Sequence, residues 1–410
     1  MNILHVTAHL GGGVGNVLLG LCLNDKHNNH SIICLEEPKN RHYYDLCISS
    51  GIQIYSLKSH DIMSLLECSD VVQIEWWHHP LITDFMISYL PKVKTRLVVW
   101  SHISGCNYPC IPFEFVRLPD AFVFATPYSF DNPFWTESER KTVKELGYLA
   151  ISSGNDFSGD PTPLKKHNDF VIGYVGFLGY EKTNPDFVKI CEGCADIPNV
   201  KFIIVGDLKY ANDLIKDVND SICSDKFIFK GYSSNVMEEL SSFDLFACLL
   251  HPNHTGASEN ALLEAMYAKV CPLVMKQCTE QYLVSHGETG MVCTSYEDFA
   301  QKAKDLYFNQ KLRVSLGENA SHYVRNNLSI SNTVNALLEV YNDVIKKNKD
   351  FHNAQNVFGS SPFEWFNSCY KYDLKNITGL AAGKSKGSLL QYYSYFKDEK
   401  LEELIKENNL

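Results

Sequence analysis

Apolar residues along the chain alternate between short runs typical of buried strands and longer stretches with helical spacing. The strand-like "NILHVTA" and a helical stretch from Val14 are followed by "HSIICLEE", "GIQIYSL", "DVVQIEWW", "TRLVVWSHI" and "DAFVFATP". Because these runs are apolar on both faces, they predict strands of a parallel sheet that helices cover on both sides. We therefore expect a Rossmann-like domain over residues 1–150.

Residues 151–169 are polar and rich in Gly, Pro and Ser, which is typical of a linker. The alternation resumes over 170–348 with "FVIGYVGFLG", "VKFIIVGD", "KFIFKGY", "DLFACLL" and "VCPLVMK", each separated by a helical stretch. The pattern predicts an α/β protein of two doubly wound, parallel-sheet domains. Ligands of such folds bind at the carboxyl ends of the strands, which we expect to face a cleft between the domains.

The remaining segment, 349–410, is aromatic, and only its last stretch has clear helical spacing. Its aromatic side chains need an apolar partner. We expect this extension to pack back on the domains; covering a surface for another molecule is the alternative.

Composition excludes several classes of protein. The formal charge of -11 disfavours sequence-independent nucleic-acid binding, which needs clustered Lys and Arg. The 14 cysteines are scattered singly through apolar segments, which favours a reducing compartment and predicts no metal site. No apolar run approaches the ~20 residues that span a bilayer. We expect a cytoplasmic protein; peripheral contact with the inner face of a membrane and the oligomeric state stay open.

A glycine cluster lies between the first strand and the first helix, where main-chain N–H groups can approach an anion. Its members are Gly11, Gly12, Gly13 and Gly15. A dinucleotide fingerprint would place its third glycine at Asn16 or Leu18, so that template fails. Glu36 and Glu37 follow the glycine cluster at about the number of positions at which an NAD-binding motif places its ribose-binding acid. An NAD-dependent oxidoreductase is therefore kept as an alternative. A tight turn without a ligand is the structural alternative.

The stretch "VGFLGYEKTNPDF" places Lys182 after a buried strand and before a helix whose predicted N-cap is Asn184, with Pro185 at its first position. A lysine there can contact phosphate as a compact charge. An ordinary solvated lysine is the alternative.

In "HTGASENALLEAM", Ser258 is the predicted N-cap and Glu259 lies in the first turn, where the helix dipole favours a negative charge. Glu264 interrupts an apolar run, where a carboxylate needs hydrogen-bond partners such as vicinal sugar hydroxyls. Exposure of Glu264 on the outer face of the helix is the alternative.

The stretch "EWWHHP" ends a strand with aromatic side chains on which a sugar ring could stack. We expect Trp76, Trp77 and His78 to bind an acceptor. The alternative is that one Trp packs in the core and the other is exposed.

Together, "GYVGFLGYEK", "VKFIIVGD", "FIFKGYSSNVMEELSSFDLFACLLHP", "TGASENALLEAMYAKVCPLV" and "HGETGMVC" resemble, in order and spacing, the carboxyl-terminal domain of retaining GT-B glycosyltransferases of family four. The resemblance covers roughly residues 170–341 well and the amino-terminal domain loosely. It implies the GT-B architecture and transfer of a sugar from a nucleoside-diphosphate sugar to a glycan or lipid-linked glycan precursor, with retention of configuration. No cofactor is implied.

The resemblance also implies roles for individual residues. Glu264 matches the glutamate that accepts from ribose hydroxyls, Lys182 the basic residue on the diphosphate, and His102 a histidine near the transferred sugar. Glu259 is a candidate catalytic contact to that sugar. Further donor-binding residues are Gly12, Gly13, Gly231, Tyr232, Ser258, Asn260, Ala261 and Leu262.

The chain departs from the family pattern at two places: Phe177 stands where an Arg is usual, and Gly256 where a first glutamate is usual. Glu259, His254 or Thr255 could compensate. Altered donor specificity or a non-catalytic, sugar-nucleotide-binding scaffold are the alternatives. The chain contains no D-x-D acidic pair, which agrees with a metal-independent site.

Overall fold

The computed structural model describes residues 1–58, 60–384 and 386–410. The described part of the chain divides into two compact units. The first unit comprises Met1–Asp156, Thr255–Ser258 and Ile330–Leu410, and the second comprises Phe157–His254 and Glu259–Ser329.

Within the described residues, the first unit contains a seven-stranded sheet in the order β3-β2-β1-β4-β5-β6-β7. Each neighbouring pair is parallel. The strands are β1 (Asn2–Thr7), β2 (Asn29–Cys34), β3 (Gln53–Ser56), β4 (Val71–Trp76), β5 (Leu97–Ser101), β6 (Ala121–Phe124) and β7 (Tyr148–Leu149). Every residue of β4 and β5 is buried, as expected for central strands covered on both faces.

Helices connect these strands in the doubly wound manner. They are α1 (Gly12–Asn24), α2 (His42–Ser49), α3 (Ile62–Cys68), α4 (Pro80–Ser88), α5 (Phe113–Arg117) and α6 (Glu137–Leu146). Helix α6 begins at a capping box, in which Thr136 and Glu139 satisfy each other's main-chain N–H groups.

The second unit contains, among the described residues, a six-stranded parallel sheet in the order β10-β9-β8-β11-β12-β13. Its strands are β8 (Phe170–Val175), β9 (Val200–Val205), β10 (Phe227–Gly231), β11 (Leu245–Cys248), β12 (Cys271–Met275) and β13 (Met291–Cys293). Its helices are α7 (Phe187–Glu192), α8 (Asn212–Asp220), α9 (Val236–Leu240), α10 (Asn260–Tyr267), α11 (Glu280–Leu283), α12 (Tyr296–Phe308) and α13 (Gln310–Asn327). The predicted fold class, two doubly wound parallel-sheet units, is confirmed.

After α13 the chain returns to the first unit through α14 (Ile330–Val344), which packs on α1. The sequence pattern had placed this helix at the end of the second domain. Tyr341 shows why it belongs to the first unit: its buried hydroxyl donates to Oε1 of Gln73 in β4 at 2.7 Å. Periodicity within a helix does not reveal which sheet the helix covers.

The aromatic extension is more helical than its sequence pattern indicated. Its helices are α15 (Gln355–Phe358), α16 (Pro362–Ser368), α17 (Leu389–Tyr395) and α18 (Glu399–Glu407). Phe358, Trp365, Phe366 and Tyr392 join the hydrophobic core of the first unit. The three shorter helices were missed because one or two turns carry too little periodicity.

The described residues contain no helix that combines the length and the hydropathy needed to cross a bilayer.

Candidate functional site

Lys182 of the second unit lies in a loop that hydrogen bonds hold firmly. Tyr174 and Thr183 both donate their hydroxyls to the carbonyl of Phe177, at 3.0 and 2.6 Å. The carbonyl of Lys182 accepts from the main-chain N–H of His251 at 2.7 Å. The loop that follows β8 is thereby tied to the segment that follows β11, at the carboxyl ends of two neighbouring strands.

These bonds place Lys182 beside the start of α10. Its Nζ lies 2.9 Å from Oε2 of Glu259, with the lysine side chain 31% exposed and the glutamate side chain 6% exposed. Burial alone would lower the pKa of Lys182, but the neighbouring carboxylate raises it above its ordinary value. The ammonium group is therefore charged and faces an oxyanion at a helix N-terminus.

Glu259, not the predicted Ser258, is the N-cap of α10. Its backbone is left-handed, with φ 43° and ψ 66°, and its side chain makes no capping hydrogen bond. Ser258 instead faces Ser152, whose main-chain N–H donates to its hydroxyl at 3.0 Å. The small-residue loop thus turns sharply at Glu259, which directs that carboxylate toward Lys182.

The first turn of α10 differs in one detail from the expected donor site, which was predicted to include Asn260, Ala261 and Leu262. The N–H of Leu262 donates to the carbonyl of Glu259 at 2.8 Å and so begins the helical hydrogen bonding. Asn260 and Ala261 precede this bond, so their N–H groups are the ones that the helix geometry directs outward. The buried Oδ1 of Asn260 accepts no hydrogen bond from the described residues.

A buried imidazole–carboxylate pair, His254 and Glu280, lies beside the start of α10. This pair was not predicted from the sequence. Nε2 of His254 lies 2.9 Å from Oε2 of Glu280, while Nδ1 lies 3.5 Å from Oε1 of Glu259. Burial would lower the pKa of His254, but the Glu280 carboxylate raises it to about 10. Charges therefore alternate along Lys182, Glu259, His254 and Glu280. His254 and Glu280 are 26 positions apart in the sequence, and only the fold brings them together, so the sequence carried no signal for this pair.

Glu264 lies on α10, one turn after its start, and its side chain is half-buried. It is therefore neither a core residue nor a fully solvated one. The predicted exposure on the outer helix face does not describe it, and its position stays compatible with a ligand contact.

Gly231 and Tyr232 lie at the carboxyl end of β10. Gly231 has a φ of 75°, and no described atom lies within 4 Å of a Cβ added there. Tyr232 is 77% exposed, so its ring is available to a ligand or to solvent.

Phe177 occupies the place where the family pattern has an Arg, and its ring packs on Tyr210 at 4.9 Å between centroids. The helix after Lys182 also begins later than predicted. Asp186 is the N-cap of α7, and Asn184 accepts the Asp186 N–H through its own Oδ1 at 2.8 Å. The expected cap at Asn184 is wrong by two positions because its side chain closes a turn before the helix.

In the first unit, the glycine cluster forms the turn from β1 to α1, with Gly11 as N-cap. Gly12 has a φ of 69° and is exposed together with Gly13. A Cβ at Gly15 would lie 2.3 Å from the carbonyl oxygen of Leu10, so this position requires glycine for packing. The positive φ of the turn accounts for Gly12, and close packing against Leu10 accounts for Gly15.

Two of the three predicted acceptor residues are buried. Trp76 is fully buried, with its ring 4.6 Å from that of Phe115. His78 is also fully buried, and burial lowers its pKa to about 3. Trp76 ends a central strand that is buried on both faces, and His78, in the turn that follows, packs against Tyr392 at 5.3 Å between ring centroids, so both are corrected to buried residues. Trp77 is half-buried and keeps an accessible face.

His102, at the end of β5, is held by a buried carboxylate. Its Nε2 lies 2.6 Å from Oε2 of Glu75, and its main-chain N–H donates to Trp76 at 2.8 Å. Burial alone would raise the pKa of Glu75, but hydrogen bonds from His102 and His5 lower it to about 2. An ionised Glu75 fixes the His102 proton on Nε2 and leaves Nδ1 as the basic nitrogen.

The network continues away from His102. His5 bridges Glu75 at 2.7 Å and His30 at 2.8 Å, and His30 lies 3.0 Å from Asp25. Hydrogen bonds hold the pKa of each carboxyl low despite burial. Burial lowers the pKa of His30, and the hydrogen bond to Asp25 opposes this effect. Sequence reasoning missed this network, although a His and a Glu inside otherwise apolar strands were its signal.

Three clusters of the described residues have the spacing of a metal site. They are His5, Cys22 and His30; His9, Glu36 and His79; and His254, Cys278 and Glu280. In the first, hydrogen bonds occupy both nitrogens of each imidazole. In the second, Nδ1 of each imidazole accepts a main-chain N–H, at 3.0 and 3.3 Å, which leaves the proton on Nε2. In the third, the Cys278 thiol donates to the Pro252 carbonyl at 3.2 Å.

The match to a protein-family model falls almost entirely within the second unit. Residues 160–323 match the family model of glycosyl transferases group 1. The chain is 24% identical over 197 residues to the capsular polysaccharide biosynthesis glycosyltransferase CapM of Staphylococcus aureus, which covers 45% of this chain and 48% of that protein. It is 24% identical over 201 residues to N-acetyl-alpha-D-glucosaminyl L-malate synthase of Bacillus anthracis, with 47% and 52% covered. The chain thus spans about half the length of these curated relatives.

Solved structures match over most of the chain. HepE of Anabaena, crystallised with UDP and glucose, has a TM-score of 0.65 at 14% identity and covers 83% of this chain and 99% of its own. Sucrose-phosphate synthase of Thermosynechococcus elongatus has a TM-score of 0.65 at 13% identity and covers 84% and 99%. Likeness at this identity shows the fold, which is the two-domain, Rossmann-like GT-B fold.

Proposed function

We propose that this protein is a metal-independent glycosyltransferase that moves a sugar from a nucleoside-diphosphate sugar to a glycan or lipid-linked glycan, with retention of configuration. One observation carries the proposal: within the segment that matches glycosyl transferases group 1, the Lys182 ammonium group already pairs with an oxyanion at the start of α10. Like that carboxylate, a diphosphate offers negatively charged oxygen atoms to the ammonium group, and it carries more negative charge.

The donor diphosphate would replace Glu259 at Lys182. The N–H groups of Asn260 and Ala261, at the positive end of α10, would hold the same phosphates. Glu264, one turn further along, would accept hydrogen bonds from the ribose hydroxyls, as the resemblance implies. These contacts account for donor binding without a metal ion.

Transfer breaks the bond between the anomeric carbon and the diphosphate oxygen, and negative charge develops on the leaving phosphate. Lys182 and the α10 amides stabilise that charge electrostatically. The acceptor hydroxyl attacks the same face of the sugar and gives its proton to a phosphate oxygen. This same-face course is what the resemblance implies, and it requires no nucleophile from the protein.

Two further residues would contact the transferred sugar. Once displaced from Lys182, the Glu259 carboxylate can accept hydrogen bonds from sugar hydroxyls, which compensates for the glutamate absent at Gly256. His102 presents Nδ1 because Glu75 holds its other nitrogen. We assign Glu75 as a positioning residue for His102.

A second candidate function is a non-catalytic sugar-nucleotide-binding subunit of a glycan-assembly complex. Phe177 favours it, because an aromatic pair with Tyr210 replaces a phosphate-binding cation. The NAD-dependent alternative has less support, because both candidate ribose-binding acids already have partners within the protein. Glu37 pairs with Arg41 at 2.6 Å, and Glu36 accepts a hydrogen bond from Tyr395 at 2.6 Å.

A thermal-shift series tests the proposal, because a ligand that binds only the native state raises its apparent stability. The probes are UDP, GDP and ADP, their glucose and N-acetylglucosamine conjugates, and NADH as a control. We expect one nucleoside diphosphate to raise Tm and its sugar conjugate to be hydrolysed slowly without acceptor. Binding without any hydrolysis or transfer favours the scaffold, and a shift with NADH alone contradicts both.

A further inference from the structure

A cluster of polar and aromatic side chains lies at the carboxyl edge of the first unit's sheet. His9 follows β1, Glu36 follows β2, and Trp77 and His79 follow β4. These strands are neighbours in the order β2-β1-β4, so the residues that follow them meet at one place. Tyr395, from α17 of the aromatic extension, completes the cluster.

The aromatic members form a continuous set of ring contacts. Ring centroids lie 5.0 Å apart for His9 and Trp77, 4.9 Å for Trp77 and His79, and 5.1 Å for His79 and Tyr395. Trp77 is half-buried, and Tyr395 is 37% exposed. The set therefore fixes the orientation of each ring while leaving one side of the cluster accessible.

The cluster contains hydrogen-bond donors that lack acceptors among the described residues. The Leu81 N–H donates to Nδ1 of His79, so the His79 proton is on Nε2. That Nε2 is buried without a hydrogen-bond partner, 3.4 Å from Oε1 of Glu36 in poor alignment, and Nε1 of Trp77 is likewise buried without one. A buried donor without an acceptor costs free energy, which a ligand oxygen would recover.

The cluster also contains a charged acceptor. Oε2 of Glu36 accepts from the Tyr395 hydroxyl at 2.6 Å, and the Glu36 side chain is 29% exposed. Burial would raise the pKa of Glu36, but contacts from His79 and Tyr395 lower it, so the carboxylate is ionised at neutral pH. Donors and an acceptor are thus present side by side.

This combination selects one chemical class of ligand. The Glu36 carboxylate repels anions such as phosphate or uronate, and the unsatisfied N–H groups oppose a cation. A neutral polyol satisfies both, since each hydroxyl donates and accepts, and the C–H face of a sugar ring packs on an indole.

We propose that His9, Glu36, Trp77, His79 and Tyr395 form the subsite for a neutral sugar ring of the acceptor. The inference rests on the proposed transferase function. The Tyr395 ring meets that of His79 edge to face, so a rotation of Tyr395 changes how a ligand hydroxyl can approach His79. The aromatic extension, which supplies Tyr395, is then part of acceptor recognition.

Saturation-transfer NMR on the full chain tests the subsite. The neutral probes are methyl glucoside, methyl galactoside and N-acetylglucosamine, with glucuronate and glucosamine as the anionic and cationic controls. We expect at least one neutral probe to bind in the millimolar range, and both controls to bind more weakly. Trp77→Phe and Glu36→Gln should each weaken binding at least about fivefold, as for loss of one hydrogen bond.

Tyr395→Phe should weaken binding of the same neutral probe. Tyr372→Phe is a matched change at another exposed tyrosine of the extension, and it should leave that binding unchanged. All variants should bind the preferred nucleoside diphosphate as the wild type does, which shows that they are folded. Absence of binding by every neutral probe, equal binding by all variants, or preference for a charged probe would overturn the subsite. If the wild type binds no nucleoside diphosphate, the result overturns the proposed function instead.

Discussion

In the second unit, Nζ of Lys182 lies 2.9 Å from Oε2 of Glu259, the residue that begins α10 in a left-handed conformation. Glu259 is therefore paired with the ammonium group that the proposed function assigns to the donor diphosphate. His254, 3.5 Å from the other oxygen of Glu259, offers the carboxylate a second positive partner. Under the proposed function, donor binding would be an exchange of anions at Lys182, and this exchange can be measured.

Glu259→Gln removes the competing charge from Lys182. We expect a nucleoside diphosphate to bind about tenfold more tightly to this variant, because it no longer displaces a carboxylate. Sugar transfer should fall at the same time, since the amide no longer accepts two hydroxyl hydrogen bonds. Calorimetric titration measures the first effect and initial rates the second; weaker nucleotide binding by the variant would contradict the exchange.

Glu264→Ala should lower transfer at least about 100-fold, the range expected for loss of one strong electrostatic contact. The reason is the loss of the ribose acceptor, so KM for the donor should rise. Glu239→Ala, at a glutamate of α9 that is half-buried like Glu264, is the matched control and should change neither rate nor KM. Normal kinetics in the Glu264 variant would remove it from the donor site.

Phe177→Arg restores the cation that the family pattern places there. A charged hydrogen bond to phosphate should strengthen nucleoside diphosphate binding about tenfold. The change also separates the two candidate functions: a rise in transfer together with binding supports a working transferase, and tighter binding without transfer supports a scaffold.

Glu75→Gln should destabilise the first unit by about 3 kcal/mol, because an amide cannot accept from both His5 and His102 in the buried network. Glu67→Gln, at an exposed position of α3, should change the free energy of unfolding by less than about 0.5 kcal/mol. Urea titration followed by tryptophan fluorescence measures both variants.

The same substitution predicts a pH dependence. The fold lowers the pKa of Glu75 from 4.5 to about 2, so its contribution is present above pH 4.5 and is lost as the pH falls toward 2. The difference in unfolding free energy between wild type and Glu75→Gln should shrink over that range. A constant difference would mean that the Glu75 charge is not what stabilises the network.

The hydrophobic pattern predicted both sheets because their strands are apolar on two faces, but it could not assign α14 to a unit. It placed Trp76, Trp77 and His78 together at a strand end, whereas Trp76 is the last residue of a strand buried on both faces and Trp77 is the first residue beyond it, where the chain is only half-buried. Ser258 had the chemistry of an N-cap, yet the chain turns one residue later, at Glu259. Lys182 was singled out by its place between a strand and a helix, and the fold pairs it with Glu259, while Glu75 and Glu280 depend on partners distant in sequence that only the fold brings near.

The most direct test of the account is calorimetric titration of the preferred nucleoside diphosphate, with UDP as the first probe, into wild type, Lys182→Ala and Lys189→Ala. Lys189 is an exposed lysine of α7 and serves as the matched control. We expect Lys182→Ala to weaken binding at least about tenfold and Lys189→Ala to bind as the wild type does. Equal affinity in all three proteins would contradict the assignment of Lys182 and the α10 N-terminus as the diphosphate site.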